Sequence, residues 1–166
     1  MLERFYNTRD VHTLKGKTVT GIAGLYHGSR ELSFLCSDGT EYKMCHAADG
    51  AETVCLYDMQ RLGVSEVPAC VRLSDDDCLV RLCEDALLGT VNYAERIVLD
   101  REELPGYFGK SGRLMGIAKT LFLLSTENGV VALTWAGFTD DPYASTVTDF
   151  VQTGGEGLWR DTEGDA

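Results

Sequence analysis

Between Glu31 and Cys45 the chain has one way to pair its apolar residues without mixing faces. Two short runs, Glu31–Cys36 and Thr40–Cys45, flank Ser37-Asp38-Gly39. A two-residue Asp-Gly loop would set Phe34 against Lys43 and Leu32 against Cys45. A three-residue loop sets Phe34 against Tyr42 and Leu32 against Met44. Because a one-residue slip turns every side chain over, the apolar match selects the three-residue loop. Gly39 then takes the left-handed position of a type I turn plus bulge. A second hairpin joins Ile117–Thr126 to Val130–Ala136. A two-residue Asn128-Gly129 loop of type I′ there sets Leu124 opposite Leu133 and Phe122 opposite Trp135.

The remaining segments fill in around these hairpins. Residues 1–15 read as an N-terminal arm or short helix. The run from Lys17 to Tyr26 is β-rich, and Gly21 and Gly24 within it predict a bulge or a close backbone approach. His46–Glu52 reads as a turn with Asp49-Gly50 at its tip, and Thr53–Asp58 as a short apolar strand. Residues 60–80 read as a connection with one short strand near Ala69–Leu73. The oxygens of Ser74-Asp75-Asp76-Asp77 suit a helix N-cap. The helix that follows should end by Gly89, with Leu79, Leu82 and Ala86 on one side. Thr90–Leu99 reads as a strand and Asp100–Gly116 as a long loop, functional or mobile. Tyr143–Val151 supplies a last strand. Residues 154–166 read as a flexible acidic tail with Trp159 as its anchor. The sum is an α+β single domain over 1–153: a mostly antiparallel sheet or partly open barrel of about seven short strands, with one or two short helices.

Composition bounds the function classes. The chain has 166 residues, of which 44% are hydrophobic, enough for a core without staples. Its net charge of −11 and pI near 4.6 disfavour direct nucleic-acid binding, since a phosphate backbone wants a basic face. Residues 1–30 carry a net +3 and residues 138–166 a net −6; both segments read as solvated faces. The N-terminus lacks the apolar segment of a signal peptide, and no stretch approaches a membrane span, so the chain reads as cytoplasmic. The six cysteines include no C-x-x-C pair and read as reduced, buried thiols.

Three constellations could carry chemistry. His46, Asp49 and Glu52 have the right donor types for a divalent metal or for acid–base work, although Asp49 and Glu52 also resemble a local capping pair. Cys70, Cys78 and Cys83 make a poor zinc set, because Cys78 and Cys83 stand five apart and do not share a helical face. In the Gly109–Arg113 loop, Lys110, Ser111 and Arg113 with flexible backbone amides could clasp an anion such as a nucleotide phosphate. The P-loop pattern itself fails, since its upstream glycine would fall at Leu104. No nucleophile elbow, zinc-protease helix, dinucleotide fingerprint or catalytic-cysteine motif occurs, and no cofactor is expected. There remain the carboxylates Asp75, Asp76, Asp77, Glu84, Asp85, Glu102, Glu103, Asp140 and Asp141. On a rigid sheet such residues can imitate a phosphate backbone and occupy a basic groove.

A series of short motifs runs along the chain: Gly16-Lys17-Thr18-Val19, Asp38-Gly39, and then Tyr42, Met44, His46, Asp49, Glu52, Val54 and Asp58. Asp85–Gly89, Ala94-Glu95, Asn128-Gly129, Trp135 and Ser145–Phe150 follow. Together they resemble a domain-of-unknown-function family of small bacteriophage and prophage proteins. The family's pattern Y-x-M-x-H-x-Q-D-C-C-E-x-V-x-I-E-D-I has a cysteine pair where this chain has Gly50 and Ala51. The resemblance implies a phage origin, not an activity. With the composition it leads to an expectation: a non-enzymatic binding protein in the host cytoplasm, a counter-defence inhibitor of the anti-CRISPR kind. Its acidic surface would meet a host protein or ribonucleoprotein complex with a basic surface. Two other readings stand beside it. One is a small-ligand binder, such as a sponge for a nucleotide immune signal, at the 106–116 loop. The other is a metal-dependent enzyme at His46, Asp49 and Glu52.

Overall fold

A computed structural model describes residues 2–47, 53–63 and 75–160. A short helix α1 (Leu2–Tyr6) and a single 3-10 turn (Val11–Leu14) lead into strands β1 (Thr18–Ala23), β2 (Leu32–Cys36), β3 (Glu41–Cys45) and β4 (Thr53–Leu62). Helix α2 (Asp75–Leu87) follows. The chain then runs through β5 (Gly89–Val98), β6 (Glu102–Phe108), β7 (Leu114–Thr126), β8 (Gly129–Thr139) and β9 (Asp149–Gly154). All described pairings are antiparallel, in the order β4-β8-β7-β5-β1-β2-β3-β9, with β6 also on β7. The α+β class and open antiparallel sheet are as expected; the described strands number nine, not about seven.

The first hairpin has the expected register: Leu32 faces Met44 and Phe34 faces Tyr42, all four buried. Gly39 has φ +87°, and the Asp38 carboxylate accepts from the Thr40 amide at 3.0 Å and hydroxyl at 2.6 Å. In β1 the pairing slips between Val19 and Gly21. A Cβ on Gly24 would lie 2.2 Å from the Glu31 carbonyl oxygen, so both the bulge and the close approach are present.

The closing hairpin departs from expectation. Thr126 pairs with Gly129, and Phe122 faces Leu133 rather than Trp135; the two-residue loop is Glu127-Asn128. Neither loop residue has positive φ, which a type I′ turn would require. Neighbours pull the turn into this frame. The Thr126 hydroxyl donates to the Ala86 carbonyl, Asn128 Nδ2 to the Leu88 carbonyl at 2.5 Å, and Arg61 Nη2 to the Asn128 carbonyl at 2.8 Å. The Thr90 amide donates to Glu127 at 2.7 Å. A two-residue shift leaves the faces unchanged, so the core is indifferent and these contacts decide.

Three further expectations change. Strand β4 runs to Leu62, past Asp58, because its later residues continue to pair with β8 out to Val130. The 100–116 segment is no loop: β6 pairs with β7 on the edge β5 uses further along, so β5 and β6 act as one interrupted strand. The last strand starts only at Asp149. Residues 143–148 instead cross the inner face of β7 and β8, where Thr146 fills the space left by Gly137 and the Thr148 amide donates to Thr120 Oγ1 at 3.2 Å. The expected strand near 69–73, and most of the 46–52 turn, lie outside the described residues.

The core forms inside the curl of this sheet, around Trp135, Tyr42, Phe34, Phe122 and Phe150. Backbone bonds from Gly28 to the Leu56 carbonyl at 2.8 Å, and from Leu56 to the Ser29 carbonyl at 2.7 Å, draw edge strand β4 toward the β1–β2 connection. Helix α2 lays Cys78, Cys83, Ala86 and Leu87 on the core; Leu82 is only half-buried. At the far end Trp159 meets the arm. Its ring lies 4.6 Å from that of Tyr6, and its amide and carbonyl bond the two ends of the Asn7 carboxamide at 2.7 and 2.8 Å. Among the described residues no helix is long and apolar enough to cross a membrane.

Candidate functional site

The acidic residues fall into two groups rather than one row. Asp77, Glu84 and Asp85 are exposed on α2 with Arg81 among them; Asp75 and Asp76 open that helix. Glu102 and Glu103 are exposed on β6, opposite Ile117 and Gly116 of β7. Helix α2 is tied to the other end of β7, at Thr126. Ten residues of strand separate these ends, about 33 Å at roughly 3.3 Å per residue.

The β6 group sits on a well-anchored hairpin. At its base Arg101 is half-buried, and its Nη2 donates to the Leu114 and Thr139 carbonyls at 3.4 Å each. Its other terminal nitrogen lies 3.7 Å from Glu103. The guanidinium occupies the space over Gly116, where a Cβ would come within 2.1 Å of it. At the tip, residues 109–113 close on backbone bonds between Gly109 and Arg113 and between Gly112 and Gly109. Exposed aromatic residues stand between base and tip. Tyr107 is 69% and Phe108 66% exposed, and Tyr143, just past the 140–141 acids, is 93% exposed. The Asp141 carboxylate accepts from the Tyr143 amide at 2.9 Å and orders that turn.

No family model, curated protein or solved structure matches this chain.

The anion-loop residues Lys110, Ser111 and Arg113 are together and exposed at this tip. The loop, however, already holds an anion of its own. Asp140 accepts from the Ser111 amide at 2.9 Å and packs against Gly109, where a Cβ would come 2.2 Å from its carboxylate oxygen. That amide bond, the Ser111 side chain and nearby Arg113 hold the Asp140 carboxyl below its ordinary range. Asp140 therefore belongs to the loop's structure, which leaves Glu102, Glu103 and Asp141 as the exposed members of the expected acidic set at this end.

His46 lies at the end of β3, half-buried, with Nδ1 2.8 Å from the Val147 carbonyl oxygen; Asp49 and Glu52 lie outside the described residues. Beside it Asp149 accepts from the Ala47 amide at 3.2 Å and meets Arg96 at 3.5 Å. Both contacts tie β3 and β5 to the start of β9. Among the described residues no group of three His, Cys, Asp or Glu side chains is placed to hold a metal ion. Cys36, Cys45, Cys78 and Cys83 are buried thiols and Cys55 is half-buried; Cys70 lies outside the described residues.

Sequence reasoning singled out Glu102, Glu103 and Asp141 but missed Tyr107, Phe108 and Arg101. Leu104-Pro105-Gly106-Tyr107-Phe108-Gly109 carries no alternation, so nothing marked it as a strand. Two adjacent aromatics between glycines were the available signal.

Proposed function

We propose that this protein acts by binding, through the β6–β7 hairpin and the neighbouring 140–143 turn, to a basic surface on another macromolecule. The observation that carries this reading is the exposure of Tyr107 and Phe108 on a strand that also bears Glu102 and Glu103. Large aromatics in water cost free energy to keep exposed and are the residues that dominate binding when buried. Carboxylates around them select a cationic partner and steer its approach. Arg101 and the Asp140-filled tip keep the hairpin ordered before binding, which lowers the entropy lost on association.

The setting we propose is a counter-defence role in a phage-infected host cell, of the anti-CRISPR kind. The partner is then a host protein or ribonucleoprotein complex with a basic nucleic-acid-binding surface. The family resemblance and the charge of −11 support this setting, and no reactive centre is invoked. A nucleotide at the loop tip is the weaker reading, because Asp140 already engages the Ser111 amide.

The test is binding to purified basic host effector complexes across a salt series. Tyr107→Ala or Phe108→Ala should weaken binding by about 2 kcal/mol, the range of interface anchors. Glu102→Gln with Glu103→Gln should flatten the salt dependence. Unchanged affinity in all of these variants would sink the reading.

A further inference from the structure

The sheet has a second face. In β7 the side chains alternate: Thr120, Phe122, Leu124 and Thr126 are buried, while Leu121 and Leu123 between them are half-exposed. The buried set faces α2 and the core. The half-exposed set lies on the opposite side of the sheet, where Leu121 pairs with Ile97 of β5 and Thr134 of β8, Leu123 with Glu95 and Ala132, and Ser125 with Val130. Tyr57, at the β4 bulge, is 52% exposed. Four neighbouring strands thus turn a surface with an apolar centre to solvent, with Gln60, Ser125 and Thr134 as its uncharged polar positions.

The charge on this face contrasts with the rest of the chain. Its acids are Asp58, Glu95 and, at the margin, Glu102, and its base is Lys119. The Lys119 ammonium lies 5.5 Å from the centre of the Tyr57 ring, a cation–π contact that keeps it along the surface. Glu95 accepts from the Tyr93 hydroxyl. Most of the −11 charge is therefore carried elsewhere. A basic partner has little reason to choose this face. A second copy has a strong one: two bodies of like charge approach most easily where each is least charged and most apolar.

The dimensions fit. Four strands at about 4.8 Å spacing and nine residues of β7 at about 3.3 Å span roughly 600 Å² of face. Closing two such faces removes about 1,200 Å², the lower end of specific interfaces. Sheets stack face to face about 10 Å apart, with strands nearly aligned. A two-fold pair makes such a surface self-complementary.

We propose that this face is a dimer interface, at which two copies stack the β5-β7-β8-β4 sheets into a sandwich. The hairpin proposed for partner binding is not needed for this contact, so either idea can fail alone.

Sedimentation of the full chain over a wide concentration range decides it. The expected result is a species of twice the 18.2 kDa chain mass that tightens as salt rises from about 0.05 to 0.5 M, because screening removes the repulsion between copies. Leu123→Glu places a like charge from each copy in the contact and should weaken association about a hundredfold. Thr134→Arg, at a half-exposed position on the same face, is the variant that decides if Leu123→Glu fails to fold; circular dichroism and melting establish which variants fold. A monomer at about 200 µM, inside the range over which weak specific pairs associate, overturns the proposal, whether the face stays bare or takes another protein. A dimer that persists in the folded variants overturns it too.

Discussion

Gly137 shows how a missing side chain shapes this molecule. A Cβ there would lie 2.3 Å from Thr146 Cβ and 2.8 Å from the Thr146 carbonyl. Backbone cannot yield as a flexible side-chain tip can, so Gly137→Ala must displace the 143–148 segment. We expect a cost of about 1–3 kcal/mol, read as a drop of roughly 3–10 °C in thermal midpoint for a chain of this size. An unchanged midpoint would show that the segment is not held there. The buried thiols make a second residue-scale prediction. Burial pushes Cys45 and Cys83 up to about 11 from an ordinary value near 9. A raised folded value favours the protonated form in the native state. The associated stability is present below about pH 9 and is lost as pH rises toward 11. Urea midpoints should fall across that window, less steeply in Cys83→Ala than in the parent. Equal slopes in the two proteins would count against it. The burial of the thiols was expected from residue type, and Cys36, Cys45, Cys78 and Cys83 are buried; Gly137 was not marked in the sequence, because its role depends on what the fold brings opposite.

At the scale of elements, the two closing turns behave differently for a physical reason. The 37–39 turn is set by its own strands, since only one register buries Leu32, Phe34, Tyr42 and Met44 together. The 127–128 turn is not, because frames two residues apart bury the same faces, and its frame comes from α2, β5 and Arg61. Asn128→Ala and Thr126→Val should therefore each destabilise by about 1 kcal/mol, through the Leu88 and Ala86 carbonyls left without these donors. Chemical denaturation measures this. A type I′ loop centred on Asn128-Gly129 would instead make Thr126→Val nearly silent. Strand β6 was illegible for a related reason. Six of its seven residues are exposed, so no alternation betrays it; pairing with β7 and the Arg101 clamp make it a strand. Helix α2 was legible, from its acidic start at Asp75–Asp77 to its end before Gly89, because capping and the 3.6 period are local.

At the scale of the whole molecule, charge and fold pull in opposite directions. A net charge of −11 on 166 residues destabilises the compact state through self-repulsion. Added salt, from about 0.01 to 0.2 M, should therefore raise the thermal midpoint at neutral pH as the Debye length shrinks. A flat or falling midpoint would mean that local ion pairs such as Lys17–Asp38 and Lys43–Glu31 outweigh the global repulsion. What the sequence alone determined was the antiparallel α+β class, the first hairpin with its register, the α2 helix and the acidic character. Each rests on neighbours in the chain or on totals that folding does not alter. Tertiary structure alone decided that the carboxylates part into two groups anchored at opposite ends of β7, that Asp140 serves its own loop, and that Tyr107 and Phe108 stand in water. It also decided that β7 turns Leu121 and Leu123 away from the core. These are facts about which distant segments meet, and a one-dimensional pattern cannot specify a contact between residues whose separation is set by every turn in between.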